Sequence, residues 1–463
     1  MFAGYFPHCE YCDSAPQAAR ARSRSIRNAG PAAFLINSSM HPSARLSGHL
    51  GPLLALMLAA CLSFWLAPAP QGQPDVEYWG HYARVGPGLG FVVNHDSYGY
   101  LEIAQHPSQL LRPQEVRQSR PLYGLLGAAV GYPLTAALGL AGRLGLAPGW
   151  PPDELRFYGF YSGYVLLNGL TLLASLLLFR WLFERLTAGR GPTWLFYALA
   201  WVLVANPITK AFFWTAHQQM LAFLVPLFCL WLALRPAPRG RTWGQLAGGA
   251  LGLGLLPLVY GSFVLALPAL AYRLLRSARG EGLASHRWAA LAGRLALSAL
   301  LFALPTLAWI ALLRAQGTTY YNHEAVRYHQ LVWLPEAWAQ PGFMGVVLDK
   351  LHGYFEGLQL MGAWLLLGVG LLAATWWRQC QAAAPVLPPA VGPALAWVSG
   401  CFIGFFALLG YYPERLAYTL LPLVLCLLAG LLPHWPRRYA LPAVLAGAAG
   451  WHLYVLLSYG PFS

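Results

Sequence analysis

QLAGGALGLGLLPLVYGSFVLALPALAY, residues 245–272, runs 28 residues without a charge, whereas ~20 apolar residues suffice to carry an α-helix across a bilayer. It does not read as one straight helix. Pro257 removes a backbone donor and crowds the preceding turn, and Gly261-Ser262 follows just beyond. Two short helices are expected, meeting at a turn near the outer surface, so that the chain returns to the side it left. Ten more apolar runs flank it, at about 50–67, 121–141, 157–179, 193–207, 218–234, 289–313, 358–376, 394–411, 415–432 and 440–458. The fold class is all-α: a polytopic helical membrane protein with about 10–13 transmembrane or re-entrant helices.

Composition agrees. Of 463 residues, 57% are hydrophobic and 10% charged, where a soluble domain carries about a quarter charged residues. Disordered, collagen-like, coiled-coil and disulfide-stapled secreted classes are excluded. The seven cysteines (Cys9, Cys12, Cys61, Cys229, Cys380, Cys401 and Cys426) are odd in number, and the last five sit in or beside apolar runs. They read as small core residues or free thiols. The formal charge is +14, yet Lys210 and Lys350 are the only lysines, and no basic stretch is interleaved with aromatics. Nucleic acid is therefore not an expected partner.

Charge placement predicts orientation. With the N-terminus inside, the inner segments hold 19 arginines and four acids, while the outer segments hold 11 basic residues and 12 acids. That asymmetry obeys the positive-inside rule. Arg180, Arg185 and Arg190 then force the run 157–179 to point inward. The segment 121–141 must therefore leave and return on the outer side, as a re-entrant or surface-lying pair broken at Gly131-Tyr132-Pro133. Two long outer loops result, 68–120 and 314–357, which together contain nine of the 16 acids. Long loops of this kind are usually functional.

Residues 1–49 form a polar cytoplasmic tail without apolar periodicity, read as disordered, and 50–463 is the membrane domain. His8-Cys9-x-x-Cys12 lacks the second Cys/His pair of a zinc knuckle. Met40 precedes an ordinary start for a membrane protein and is an alternative initiation site. Leu58-Ala59-Ala60-Cys61 resembles a lipoprotein cleavage box, but the apolar run continues through LSFWLAP, favouring a retained anchor.

Candidate chemistry gathers in the loops. Asn94-His95-Asp96-Ser97-Tyr98-Gly99-Tyr100-Leu101-Glu102 opens a helix in the first loop. Asp96 is either its cap or a carboxylate able to take a proton from an acceptor hydroxyl. Glu102 is a second carboxylate candidate, with His95 and Tyr100 beside them. Arg120 closes the loop ahead of Pro121-Leu122-Tyr123, placed to snorkel to lipid phosphate or to grip a substrate phosphate. The second loop supplies Arg314, Arg327 and Lys350, with His323-Glu324 and His329 as a cluster whose spacing is not that of a zinc protease. Near the far end, Glu414-Arg415-Leu416-Ala417-Tyr418 precedes a late apolar run. No P-loop, G-x-S-x-G or dinucleotide fingerprint occurs, and no acid sits mid-span as proton-coupled carriers often require.

These pieces, in order, resemble the GT-C class of integral-membrane glycosyltransferases, in the group related to polyprenyl-phosphate-sugar mannosyltransferases and aminoarabinose transferases. The matching stretches are Asp96-Ser97-x-x-Tyr100-Leu101-x-x-Ala104, Arg120-Pro121-Leu122-Tyr123, FRWLFERLTAGRG (179–191), the 245–272 hairpin, and Glu414-Arg415-Leu416-Ala417-Tyr418 with Pro422. The resemblance covers about 75–430 and implies transfer of a sugar from a polyprenyl-phosphate donor to a lipid, glycan or protein acceptor. It implies a setting at the outer face of a bacterial inner (plasma) membrane. Asp96 maps onto the base or acceptor-orienting aspartate, and Arg415 onto the donor-phosphate residue, with Arg120, Arg314 and Lys350 as weaker matches. The second acidic motif of the family is missing, with His323-Glu324 a loose substitute, which leaves use of a divalent metal open. Two other readings stand beside it. A polysaccharide polymerase or ligase would use a similar donor, and a transporter or flippase would turn charges from several spans into a central cavity.

Overall fold

A computed structural model describes residues 42–67, 80–87, 89–236, 243–280, 285–339, 341–380 and 387–458. The His8/Cys9/Cys12 motif, Met40 and the reading of the tail as disordered lie outside the described residues. The chain divides into two units, Met1–Pro52 and Leu53–Ser463. Among the described residues the first holds only the opening turns of one helix, and the helix bundle belongs to the second.

The elements run α1 (Pro42–Ser63), β1 (Gly80–Gly86), β2 (Leu89–Asn94), α2 (Asp96–Gln105), α3 (Pro121–Arg143), α4 (Pro152–Leu186), α5 (Thr193–Val204), α6 (Pro207–Phe212) and α7 (Leu221–Leu234). They continue with α8 (Trp243–Leu255), α9 (Ala266–Gly280), α10 (Ser285–Ala315), α11 (His323–Tyr328), α12 (Trp333–Trp338), α13 (Phe343–Gly357) and α14 (Gln359–Cys380). Last come α15 (Val391–Leu409), α16 (Glu414–Ala417), α17 (Leu421–Leu431) and α18 (Arg437–Leu457). Among the described residues seven helices are long and apolar enough to cross a membrane, with an eighth if α13 and α14 count as one bent span. The protein is an all-α multi-pass membrane protein. Each apolar run of the sequence became a helix or a helical hairpin.

Residues 245–272 fold as expected. Helix α8 stops at Leu255, two short 3-10 turns cover Leu256–Leu258 and Gly261–Leu265, and α9 returns. The hairpin separates its arms, α8 lying on α10 and α9 on α7. Gly254 has no room for a side chain, since a Cβ there would sit 2.2 Å from the Phe302 carbonyl oxygen of α10.

Two features differ from the sequence reading. The first long loop contains a β-hairpin, pairing Gly80 with Asn94 and Arg84 with Gly90. Its alternation is short and weakly apolar, which hid it among membrane signals. Second, 121–141 is not broken at Gly131-Tyr132-Pro133: α3 runs on through Pro133 as one helix of 23 residues. It packs antiparallel on the first half of α4, small residues Gly127 and Gly131 giving way to the rings of Tyr164 and Phe160. At Tyr164 the hydroxyl donates to the Tyr100 carbonyl (3.1 Å), so α4 is level again with the place where α3 began. The rest of α4 carries on to Arg180 and Arg185. The pair is an antiparallel hairpin built from a whole helix and half of the next, in place of the expected break within 121–141.

The core centres on α17. In the Arg415–His434 stretch 78% is buried, against 11–33% in the other spans, whose outward faces are left for lipid. Around α17 pack α4, α5, α7, α14 and α15. Arg415, on α16, thus stands just ahead of the most enclosed helix among the described spans.

The geometry predicts sidedness. In a variant with its native cysteines replaced, new cysteines at Glu115 and Gly149 should react with an impermeant thiol reagent from the same face, and one at Gly189 from the other. Labelling of 149 and 189 from one face would contradict this arrangement.

Candidate active site

The site is built by joining the two long loops. Gln118 is fully buried, and its amide nitrogen donates to the carbonyls of Leu110 (3.0 Å) and Arg112 (2.7 Å). Its side-chain oxygen accepts the Tyr321 N–H (2.9 Å), and its carbonyl accepts the Trp309 indole N–H (2.9 Å). One side chain thereby fixes the loop that carries Arg117 and Arg120 to the loop that carries Glu324. Thr318 adds a bond to the Leu111 carbonyl (2.8 Å). The amide of Gln118, fully buried, is satisfied in this way at both its nitrogen and its oxygen.

A second set of contacts sets Asp96. The β-hairpin is held by Phe91, which stacks on Trp65 (6.0 Å) and tilts against Trp214 (5.9 Å). It ends at Asn94, whose side-chain oxygen accepts the Asp96 N–H (2.8 Å). Asn94 therefore does the capping, and the Asp96 carboxylate at the first position of α2 is left for other partners. Ser97 Oγ accepts the Ala216 N–H (3.1 Å), tying α2 to the turn after α6. That turn is held by Asn168 of α4, within 2.8–3.2 Å of the carbonyls of Phe212, Phe213 and Thr215. Gly99 is glycine because a Cβ would fall 2.5 Å from Arg117 Nη2. Arg117 can then lie across α2, over the Tyr100 ring (5.1 Å) and against Asp96 (3.2 Å).

The result is a cavity of about 210 Å³ lined by segments far apart in the chain, with Asp96, Arg117, Arg120, His217, Tyr260 and Arg415 among its walls. Of the residues anticipated from sequence, Asp96, Tyr100, Arg120, His323, Glu324 and Arg415 all line it. Glu102, His95, Arg314, Lys350 and Arg327 do not. Glu102 and His95 are exposed on α2 and just before it, and Arg314 is exposed at the end of α10. Lys350 donates to the Gly410 carbonyl (2.8 Å) and so braces the turn before Arg415. Arg327 is exposed as well. Arg117, His217, Gln218 and Tyr260 were not anticipated as site residues. His217-Gln218-Gln219 between two apolar runs was the available signal, a polar triplet at the end of the bundle where the two long loops lie.

Charges in the cavity pair off unevenly. Arg120 forms an ion pair with Glu324, largely shielded from solvent, and Ser119 Oγ donates to the same carboxylate (3.4 Å). With its amide oxygen turned inward, Gln218 accepts from Arg120 and from the Tyr100 hydroxyl (3.0 Å). Arg117 pairs with Asp96. Arg415 forms no ion pair with any described carboxylate, although its charge reaches Asp96. Among the described side chains three guanidiniums therefore face two carboxylates, an excess of positive charge.

His217 is buried, with Nε2 3.6 Å from the Asp96 carboxylate. Its Nδ1 accepts the Gln219 N–H (3.1 Å), which places the ring proton of the neutral form on Nε2, facing Asp96. Burial pushes the imidazole below its ordinary range and keeps it neutral. His217, whose Nε2 faces it at 3.6 Å, followed by the charges of Arg117 and Arg415, holds the Asp96 carboxyl far below the usual carboxylate range. Asp96 is thus ionised and half-exposed to the cavity, its side chain 52% accessible.

His323-Glu324-x4-His329 does not close on a metal. Glu324 is committed to Arg120, His323 lies beside the Tyr321 hydroxyl (3.2 Å), and His329 pairs with Glu336 (2.8 Å). Among the described residues no three His, Cys, Asp or Glu side chains converge as a ligand set.

No family model, no curated protein and no solved structure matches the chain.

Replacing Gln118 with leucine would strand two carbonyls and an N–H at about 1–3 kcal/mol for each group left unsatisfied. Purified Gln118→Leu should melt lower and be cleaved faster by protease within 314–357 than wild type. Unchanged cleavage would show that the loops are joined by something else.

Proposed function

We propose that this chain is a GT-C-like membrane glycosyltransferase. It moves a sugar from a polyprenyl-phosphate donor to a lipid, glycan or protein acceptor on the outer face of the plasma membrane, its N-terminus in the cytoplasm. The observation that carries the reading is the charge imbalance in one cavity: an ionised carboxylate, Asp96, faces the same space as a guanidinium with no ion-pair partner among the described carboxylates, Arg415. An anion completes that set, and a lipid-linked phosphate brings one to the edge of a membrane bundle.

The residues divide the work. Arg415 holds the donor phosphate and takes up the electron pair's charge as the bond from the sugar anomeric carbon to the phosphate oxygen breaks. Asp96 accepts a hydrogen bond from the acceptor hydroxyl and aims its oxygen at that carbon. A carboxylate of such low proton affinity does not pull a proton from a free hydroxyl. It receives the proton late, once the new carbon–oxygen bond has made that oxygen strongly acidic. Neutral His217 keeps its Nε2–H on Asp96 and orients it. Arg120 with Glu324 is structural, a neutralised pair that holds the cavity wall.

The test compares envelope glycans and glycolipids by mass spectrometry in a deletion strain complemented with wild type, Asp96→Asn or Arg415→Ala at equal expression. A sugar lost on deletion and restored by wild type alone is the expected result, with residual transfer in either variant reduced at least about a hundredfold. Full restoration by Asp96→Asn would remove that carboxylate from the chemistry. No glycan change on deletion would favour a transporter.

A further inference from the structure

The second long loop leaves an apolar stripe uncovered. On α13, Met344, Leu348, Leu351 and Phe355 fall at i, i+4, i+7 and i+11, and each is 41–65% exposed. At ~100° per residue they form one narrow face. Asp349, His352 and Glu356 lie about 100° round from it, exposed, with His352 and Glu356 paired at 3.2 Å. The third face is packed on protein. There Lys350 bonds the Gly410 carbonyl, Tyr354 donates to Ile403 O (3.3 Å), and Gly357 sits where a Cβ would be 2.6 Å from Tyr412 O. A helix with separate protein, water and apolar faces fits one place, the edge of a bilayer beside the bundle it belongs to.

Geometry puts it at that depth. Helix α13 meets the Met361–Gln379 stretch of α14 at 83°. If α14 crosses the membrane, α13 lies along it. Trp376 and Trp377 are exposed near the far end of α14, as interfacial tryptophans are. The rise from there to Leu358 is about 27 Å, close to the ~30 Å of a hydrocarbon core. The four charged or titratable residues Asp349, Lys350, His352 and Glu356 rule out a re-entrant dip of α13 into that core. Trp338 of α12, 75% exposed, extends the apolar surface.

We infer that α12 and α13 rest on the lipid headgroup region of the cavity-side leaflet, with the 344/348/351/355 stripe in the acyl boundary. Tyr411, Pro413 and Leu416 lie between α13 and the cavity, so the cavity opens at headgroup height. The lipid contact is independent of the reaction proposed above, though it would let a lipid-linked donor reach Arg415 without leaving the bilayer.

Single cysteines at Met344, Leu348, Leu351, Phe355, Asp349, His352 and Glu356, all surface positions, would carry an environment-sensitive fluorophore in full-length protein reconstituted into phosphatidylcholine/phosphatidylglycerol vesicles. The first four should be quenched by shallow spin-labelled lipid at least about threefold more than the last three, which iodide in water should quench instead. Quenching of Leu348→Cys and Phe355→Cys by iodide and not by lipid would overturn the inference. Protection of those two from both quenchers would also overturn it, in favour of a protein partner. Transfer activity is not read, so failure of the glycosyltransferase reading leaves this result intact.

Discussion

A guanidinium enclosed at the end of an apolar helix bundle has to be neutralised, and Arg120 is such a group. Removing a paired partner from a buried ion costs about 3–5 kcal/mol, so Glu324 cannot drift away cheaply. Arg120 belongs to the first long loop and Glu324 to the second, some two hundred residues later in the chain. Their pairing, locked on either side by Gln118 and Gln218, makes the loops one structure. The cavity exists because they close there.

Enclosure then decides which charges are paired. Arg120 is spent on Glu324, and Arg117 leans on Asp96 while lying over Tyr100. Arg415 pairs with no described carboxylate and stands on α16, one short 3-10 turn ahead of α17, which is buried almost all round and packed among α4, α7 and α15. Arg415, half-buried, faces the same cavity as the ionised Asp96 carboxylate, which is the preorganised field the proposed transfer would use. Asp96 is fixed as firmly, by Asn94 at its amide, Ser97 at the next residue and the Asn168-held turn that brings His217.

Much of this was legible in the chain. The hydrophobic runs marked the spans because lipid admits only continuous helix, and the Pro257/Gly261 pair marked the hairpin because proline and glycine act locally. Asp96, Arg120, Glu324 and Arg415 stood out as charges in an otherwise apolar sequence. What could not be read was partnership across distance. Nothing local says that Glu324 belongs to Arg120 more than His323 belongs to a metal, or that Lys350 supports a turn while Arg415 does not. His217 was missed for the same reason: its role comes from Asn168 and Ser97, on other elements. Pro133 misled because a proline within a long packed helix is tolerated when its neighbours hold the turn.

On the proposed reading Arg415 is the cavity's anion-holding residue. Native mass spectrometry of the purified protein with a polyprenyl phosphate addresses it directly, comparing wild type, Arg415→Ala and Arg314→Ala. Loss of a charge-assisted hydrogen bond of ~1.5–3 kcal/mol should weaken binding roughly ten- to a hundredfold in Arg415→Ala, while Arg314→Ala binds as wild type does. Equal binding by Arg415→Ala and wild type would contradict the account.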